Sequence, residues 1–131
     1  MDDDKLAKAK SEIGENLNDW TDILQRAANS LLVAHGGALL ACLSQLKDYG
    51  TNPQLKHIGF LIASFAAGFM IATLAYIDIA MGRIRLKLAL FRGDAAGFKE
   101  MPVQRGVALL YLSVGVLLLA VLAVAWRFFW L

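Results

Sequence analysis

The sequence predicts an all-α membrane protein with three transmembrane helices preceded by an N-terminal amphipathic helix. Two stretches, Ile58 to Ile77 and Gly106 to Trp126, contain no formally charged residue. Crossing a hydrocarbon core about 30 Å thick takes roughly 20 apolar helical residues, since only a helix or a closed barrel satisfies its own backbone hydrogen bonds in lipid. Between the two stretches lie Arg83, Arg85, Lys87, Arg92, Lys99 and Arg105. The whole chain is 58% hydrophobic, with a mean hydropathy of +0.54, more apolar than a soluble domain of 131 residues. These features point to one small membrane domain.

The amphipathic lead-in rests on spacing. From Leu6 onward, apolar residues recur at Ile13, Leu17, Trp20, Leu24, Ala27 and Leu31, in steps of three and four, with Glu12, Glu15, Asp19, Asp22 and Arg26 between them. Residues 1–26 carry seven acids against four bases. Helices that grip anionic lipid are basic on their polar face, so this acidic one suits packing on protein, either its own bundle, a second copy or a partner. The expected organisation is an acidic cytoplasmic helix over 1–26 and a transmembrane domain over 27–131. The start Met1-Asp2-Asp3-Asp4 lacks the basic end and apolar core of a cleavable signal, so the first span is expected to act as an uncleaved anchor.

The first span, over about 27–46, holds no formal charge with His35 neutral, but it includes Asn29, Ser30, Gly36, Gly37, Ser44 and Gln45. Lys47-Asp48-Tyr49-Gly50 reads as its exit, with Tyr49 near the headgroups and Gly50 as a stop, and Asn52-Pro53 reads as a turn. The second span covers about 57–80 and the third about 106–128. Arg83-Ile84-Arg85-Leu86-Lys87-Leu88 alternates like a strand, but it continues a membrane helix, and an isolated strand would leave its edges unpaired. A helical extension with snorkelling stems is expected instead. Gly93 and Gly97 mark the next turn, and Pro102 suits the entrance to the third helix.

Orientation follows from the bases. In a three-span arrangement the amino segment and second loop share ten, while the other side has Lys47, Lys56 and Arg127. That imbalance places the amino terminus in the cytoplasm and the carboxyl terminus, with Trp126, Phe128, Phe129 and Trp130 as an aromatic anchor, outside. No basic patch interleaved with aromatics suggests nucleic acid. The single Cys42 excludes an intramolecular disulfide and a cysteine-based zinc cluster.

His35 is the sharpest chemical candidate, because an ionisable group near mid-membrane is costly and often functional. Haem ligation, proton relay and quinone contact are the functional readings. His57, the only other histidine, lies at the outer end of the next helix and makes a poor second haem ligand. The structural reading is a neutral imidazole bonded to a neighbouring backbone or hydroxyl, with Gly36 and Gly37 admitting another helix. Asp78, the only acid of the second span, lies near its cytoplasmic end, with Arg85 seven residues on as the expected partner. Small residues form two seams expected to pack on each other: Ala34, Gly37, Ala38 and Ala41 on the first helix, and Ser64, Gly68, Ala72 and Ala75 on the second. The third helix reads as more lipid-facing. No nucleophile triad, carboxylate pair, phosphate loop or metal-ligand spacing is present, so neither catalysis nor a cofactor is expected.

The run Leu31-Leu32-Val33-Ala34-His35-Gly36-Gly37-Ala38-Leu39-Leu40-Ala41-Cys42-Leu43 resembles the first span of small uncharacterised bacterial inner-membrane proteins that read leucines, Asn-Gly-Gly-Ala, then alanines and leucines. Here His35 stands where those proteins commonly show asparagine. The resemblance implies a bacterial inner-membrane location and an all-helical fold, and supplies no activity. The expected function is a non-catalytic membrane scaffold or accessory subunit, embedded in the bilayer, that forms a homo-oligomer or docks on a larger complex. A holin-like or toxic-effector pore-former is the alternative, although the end Trp126-Arg127-Phe128-Phe129-Trp130-Leu131 lacks a holin's polybasic tail. A proton- or quinone-linked subunit using His35 is the third reading.

Overall fold

A computed structural model describes residues 2–48, 51, 57–92 and 104–130, except the side chains of Leu17, Leu90, Phe128 and Trp130. The turn and exit expectations for Tyr49, Gly50, Asn52-Pro53, Gly93, Gly97 and Pro102 lie outside these residues. Every extended element among them is helical: α1 spans Asp3–Ser44, α2 spans Ile58–Arg92 and α3 spans Gln104–Trp130. All three are long and apolar enough to cross a membrane.

The expected lead-in and first span form one unbroken helix. No proline or glycine pair interrupts residues 3 to 35, and Asp3 and Asp4 in the first turn complement the helix dipole. The backbone carbonyl of Asp2 accepts from Lys5 N–H at 3.0 Å and Leu6 N–H at 3.1 Å. At 1.5 Å per residue α1 is about 63 Å long, roughly twice the hydrocarbon thickness. It ends by tightening into a 3₁₀ turn, Leu46–Asp48, where Ser44 Oγ donates to Ala41 O at 2.7 Å. α2 continues through the basic alternation to Arg92, so that stretch is helical as expected.

α2 is the central helix and packs on both neighbours, while α1 and α3 meet sparsely. From Phe65 onward its buried residues, Phe65, Gly68, Ala72, Ala75, Ile79 and Gly82, recur in steps of three and four. Because four of these six are glycine or alanine, α1 and α3 both approach its backbone, gaining dispersion contacts where lipid supplies no hydrophobic drive. α3 approaches α2 closely at Gly106, where an added Cβ would lie 2.7 Å from Ile79 Cγ1 and 3.5 Å from Ala75 O. Leu24 and Ala28 of α1 complete an apolar cluster with Ala75, Ile79 and Leu110.

Candidate functional site

Several hydroxyls in the apolar segments satisfy themselves locally. Ser30 Oγ donates to Arg26 O, Ser64 Oγ to Phe60 O and Thr73 Oγ1 to Phe69 O, each at 2.9 Å. A hydroxyl folded onto its own helix exposes little polarity to lipid. An imidazole cannot do this, so His35 needs another helix.

His35 is fully buried, and α2 and α3 converge on it. Its Nε2 lies 3.1 Å from Ser113 Oγ and 3.2 Å from the Ser113 carbonyl oxygen. Ser113 Oγ donates to Gly68 O at 3.2 Å. The hydroxyl proton is thereby committed to α2, and the carbonyl only accepts, so we assign the His35 proton to Nε2, which donates toward both Ser113 oxygens. Nδ1 is then a bare lone pair, and it is buried with no hydrogen-bond partner among the described residues. Phe65 covers the ring edge-on, with centroids 6.2 Å apart and planes at 60°.

Gly68 makes this arrangement possible. A Cβ there would collide with the His35 ring, so α2 must lack a side chain where α1 reaches across it to α3. The other expected packing residues are placed differently. Ala72 is buried on the same face of α2, and Ser64 is half-buried. Gly36 meets Phe69 at ordinary contact distance, and nothing lies within 4 Å of a Cβ at Gly37. Ala34 and Ala41 are exposed with Gly37. The α2 seam thus packs within the bundle, while most of the α1 seam faces outward. α1 uses its other face, Thr21, Leu24, Ala28 and His35, which repeats with the same spacing. α3 buries a stripe of its own, Gly106, Leu110, Ser113 and Ala120.

Asp78 pairs with Arg105 of α3, the Nε–Oδ2 distance being 3.2 Å, and not with the expected Arg85. Arg85 is exposed on the same helix. A cross-helix partner reaches the carboxylate where α3 approaches α2 closely, whereas a residue seven positions along is two turns, about 10 Å, away. The Oδ2 atom is buried and lacks a well-angled hydrogen bond among the described residues, so the contact is chiefly Coulombic. The residue missed by sequence is Arg83. Its Nε and Nη2 donate to Asn18 Oδ1 at 3.2 and 2.8 Å, and its Nη1 donates to Gln25 Oε1 at 2.7 Å. Asp22 Oδ1 is 3.7 Å from Nη1. Arg83 therefore clamps α1 to α2 just beyond the apolar region. Asn18, Asp22 and Gln25 in steps of three and four were the available signal.

Gly68 is ten residues from Ile58 and ten from Asp78, about 15 Å from each, which puts the His35 node halfway along the apolar part of α2. His57 is exposed, about 16 Å along from Gly68. Cys42 is free, and among the described residues no three His, Cys, Asp or Glu side chains gather to hold a metal ion. The length and apolarity of the three helices thus describe a multi-pass membrane protein, and no protein-family model, curated protein or solved structure matches the chain.

Proposed function

We propose that this protein is a non-catalytic membrane scaffold or accessory subunit that oligomerises, or docks on a larger membrane complex, through the outer face of α1. One observation carries this reading. From Trp20 to Ser44 the outer face repeats in steps of three and four with every position exposed, and Leu6 and Ile13 precede it at intervals of seven, the sequence signature of a helix seam awaiting a partner helix. Its composition changes with the expected solvent. The polar half carries Leu6, Ile13, Trp20 and Ile23, the last two 53% and 60% exposed. The apolar half carries Ala27, Ser30, Ala34, Gly37, Ala41 and Ser44. Large apolar residues drive association in water, and small ones permit close approach in lipid. Leu6 and Ile13 lie about 44 and 33 Å along α1 from His35, beyond the roughly 20–22 Å half-thickness of a bilayer with its headgroups, so lipid does not cover them. The cytoplasmic amino terminus and bacterial inner-membrane location belong to the same proposal and rest on the ten-to-three distribution of bases.

Ile13→Glu and Trp20→Glu test it without touching the buried face. Each should abolish the oligomer on native gels or the co-purifying partner in mild detergent. Association unchanged in the double variant would refute the proposal. The unpartnered His35 Nδ1 favours a second reading, a proton-linked subunit. In that case His35→Asn would spare assembly and remove coupling, and retention of both would end it.

A further inference from the structure

A second stripe runs the length of α2, away from the buried one. From Phe60 to Phe91 it recurs in steps of three and four, through Ala67, Leu74, Met81 and Leu88, and every position is exposed. Lipid covers its first half. Ile84, Leu88 and Phe91, however, are sixteen, twenty and twenty-three residues beyond Gly68, about 24, 30 and 35 Å along α2 and past the roughly 20–22 Å half-thickness of a bilayer with its headgroups. There Ile84 is 53% and Phe91 92% exposed. Large apolar side chains held in water at heptad spacing are one half of a helix–helix interface. We propose that this stripe of α2 receives the outer face of α1 from a second copy of the chain. The proposal rests on the docking reading of α1 and names what that face meets.

Register is the first support. Successive spans run in opposite directions, so α1 of one copy meets α2 of another, inserted the same way, antiparallel and level in depth. Measured from the His35–Gly68 level, Ile13 and Phe91 lie about 33 and 35 Å out, Trp20 and Ile84 about 22 and 24 Å, and Ile23 and Met81 about 18 and 20 Å. The match continues into the apolar region, where Ala34 and Gly37 fall within about 2 Å of the levels of Met70 and Ala67. Small residues on α1 there admit the larger ones of α2. Charge is the second support. Residues 11–22 of α1 carry four acids and no base, and residues 81–92 of α2 carry four bases and no acid. Asp22 and Arg83 meet within the chain, but Glu12, Asp19, Arg85, Lys87 and Arg92 form no ion pair among the described residues. Asp19 and Lys87 each precede a stripe residue, Trp20 and Leu88, and such positions face one another on the same flank of an antiparallel pair. The same charges disfavour the simpler pairing. Two α2 helices inserted the same way run parallel, which sets Lys87 of one copy near Arg92 of the other, like against like.

Disulfide trapping in membranes provides the test. Two full-length chains with different tags, both carrying Cys42→Ala and one bearing Ile23→Cys, the other Met81→Cys, are co-expressed and oxidised with copper phenanthroline. The disulfide between unlike chains should exceed either disulfide between like chains at least about fivefold, and moving the second cysteine from Met81→Cys to Met70→Cys, about 16 Å along α2, should abolish it. Lys87→Glu should dissociate the oligomer on native gels, and Asp19→Lys added to the same chain should restore it. Disulfides only between like chains, or none between unlike ones, would overturn the proposal. Loss of association in Ile13→Glu and Trp20→Glu but not in Ile84→Glu and Phe91→Glu would overturn it too, while leaving docking through α1 intact. Association that survives all four substitutions would end both.

Discussion

His35 on α1 and Ser113 on α3 are bonded at 3.1 Å across an intervening helix, over the point where α2 has Gly68 in place of a side chain. The outer helices touch little elsewhere, so this contact ties all three together at the middle of the apolar region.

The steric requirement at Gly68 exceeds the value of the hydrogen bond it permits. Gly68→Ala should destabilise the bundle by about 1–3 kcal/mol, the range for forcing extra atoms into a packed interior. Because the added methyl collides with the His35 ring specifically, combining it with His35→Ala should recover part of that loss. Reversible unfolding in mixed micelles of the two single variants and the double variant gives the coupling, and additive losses would show that Gly68 does not act through His35.

Ser113→Ala removes one of two oxygens facing Nε2 and the bond to Gly68 O, leaving the Ser113 carbonyl as acceptor. Interhelical hydrogen bonds in lipid average about 0.6 kcal/mol and reach about 1.7, so the cost should stay below 2 kcal/mol. The same unfolding measurement checks it.

The Asp78–Arg105 pair should be asymmetric. Arg105 is 80% exposed at its side chain and gives up little when replaced, but Arg105→Ala leaves the half-buried Asp78 carboxylate uncompensated. Asp78→Asn removes the charge together with the need for a partner. Arg105→Ala should therefore destabilise more than Asp78→Asn, and Arg85→Ala should change stability by less than about 0.5 kcal/mol. A larger effect of Arg85→Ala would restore the partner expected from sequence.

Arg83→Lys keeps the charge but cannot place two donors on Asn18 Oδ1 while reaching Gln25 Oε1. Separation of α1 from α2 at this level should widen, read as a broadened distance distribution between spin labels at positions 16 and 84 after Cys42→Ala. Arg85→Lys, at an exposed position, should leave the distribution unchanged.

Much of the architecture was legible. The length and apolarity of the spans, the helical continuation of α2 through Arg83 and Lys87, and His35 as the polar residue needing explanation all follow from spacing and from backbone hydrogen bonding in lipid. The small seam on α2 was legible too, because Gly68, Ala72 and Ala75 sit on one stripe. α1 offered two stripes of the same period, 24-28-31-35 and 27-34-41, and periodicity alone cannot say which one faces inward. Ser113 had no local mark beyond being a hydroxyl in an apolar run, since what singles it out is a residue 78 positions away.

The sequence by itself determined the solvent, the helical class and the location of the polar groups, because those depend on the length, charge and period of short segments. Tertiary structure decided the partners: His35 with Ser113 over Gly68, Asp78 with Arg105 in place of Arg85, and Arg83 with Asn18 and Gln25. The reason is geometric. A buried polar atom takes whichever acceptor or charge the neighbouring helices bring within about 3 Å, and that depends on the rotation and depth of each helix, which no single helix specifies.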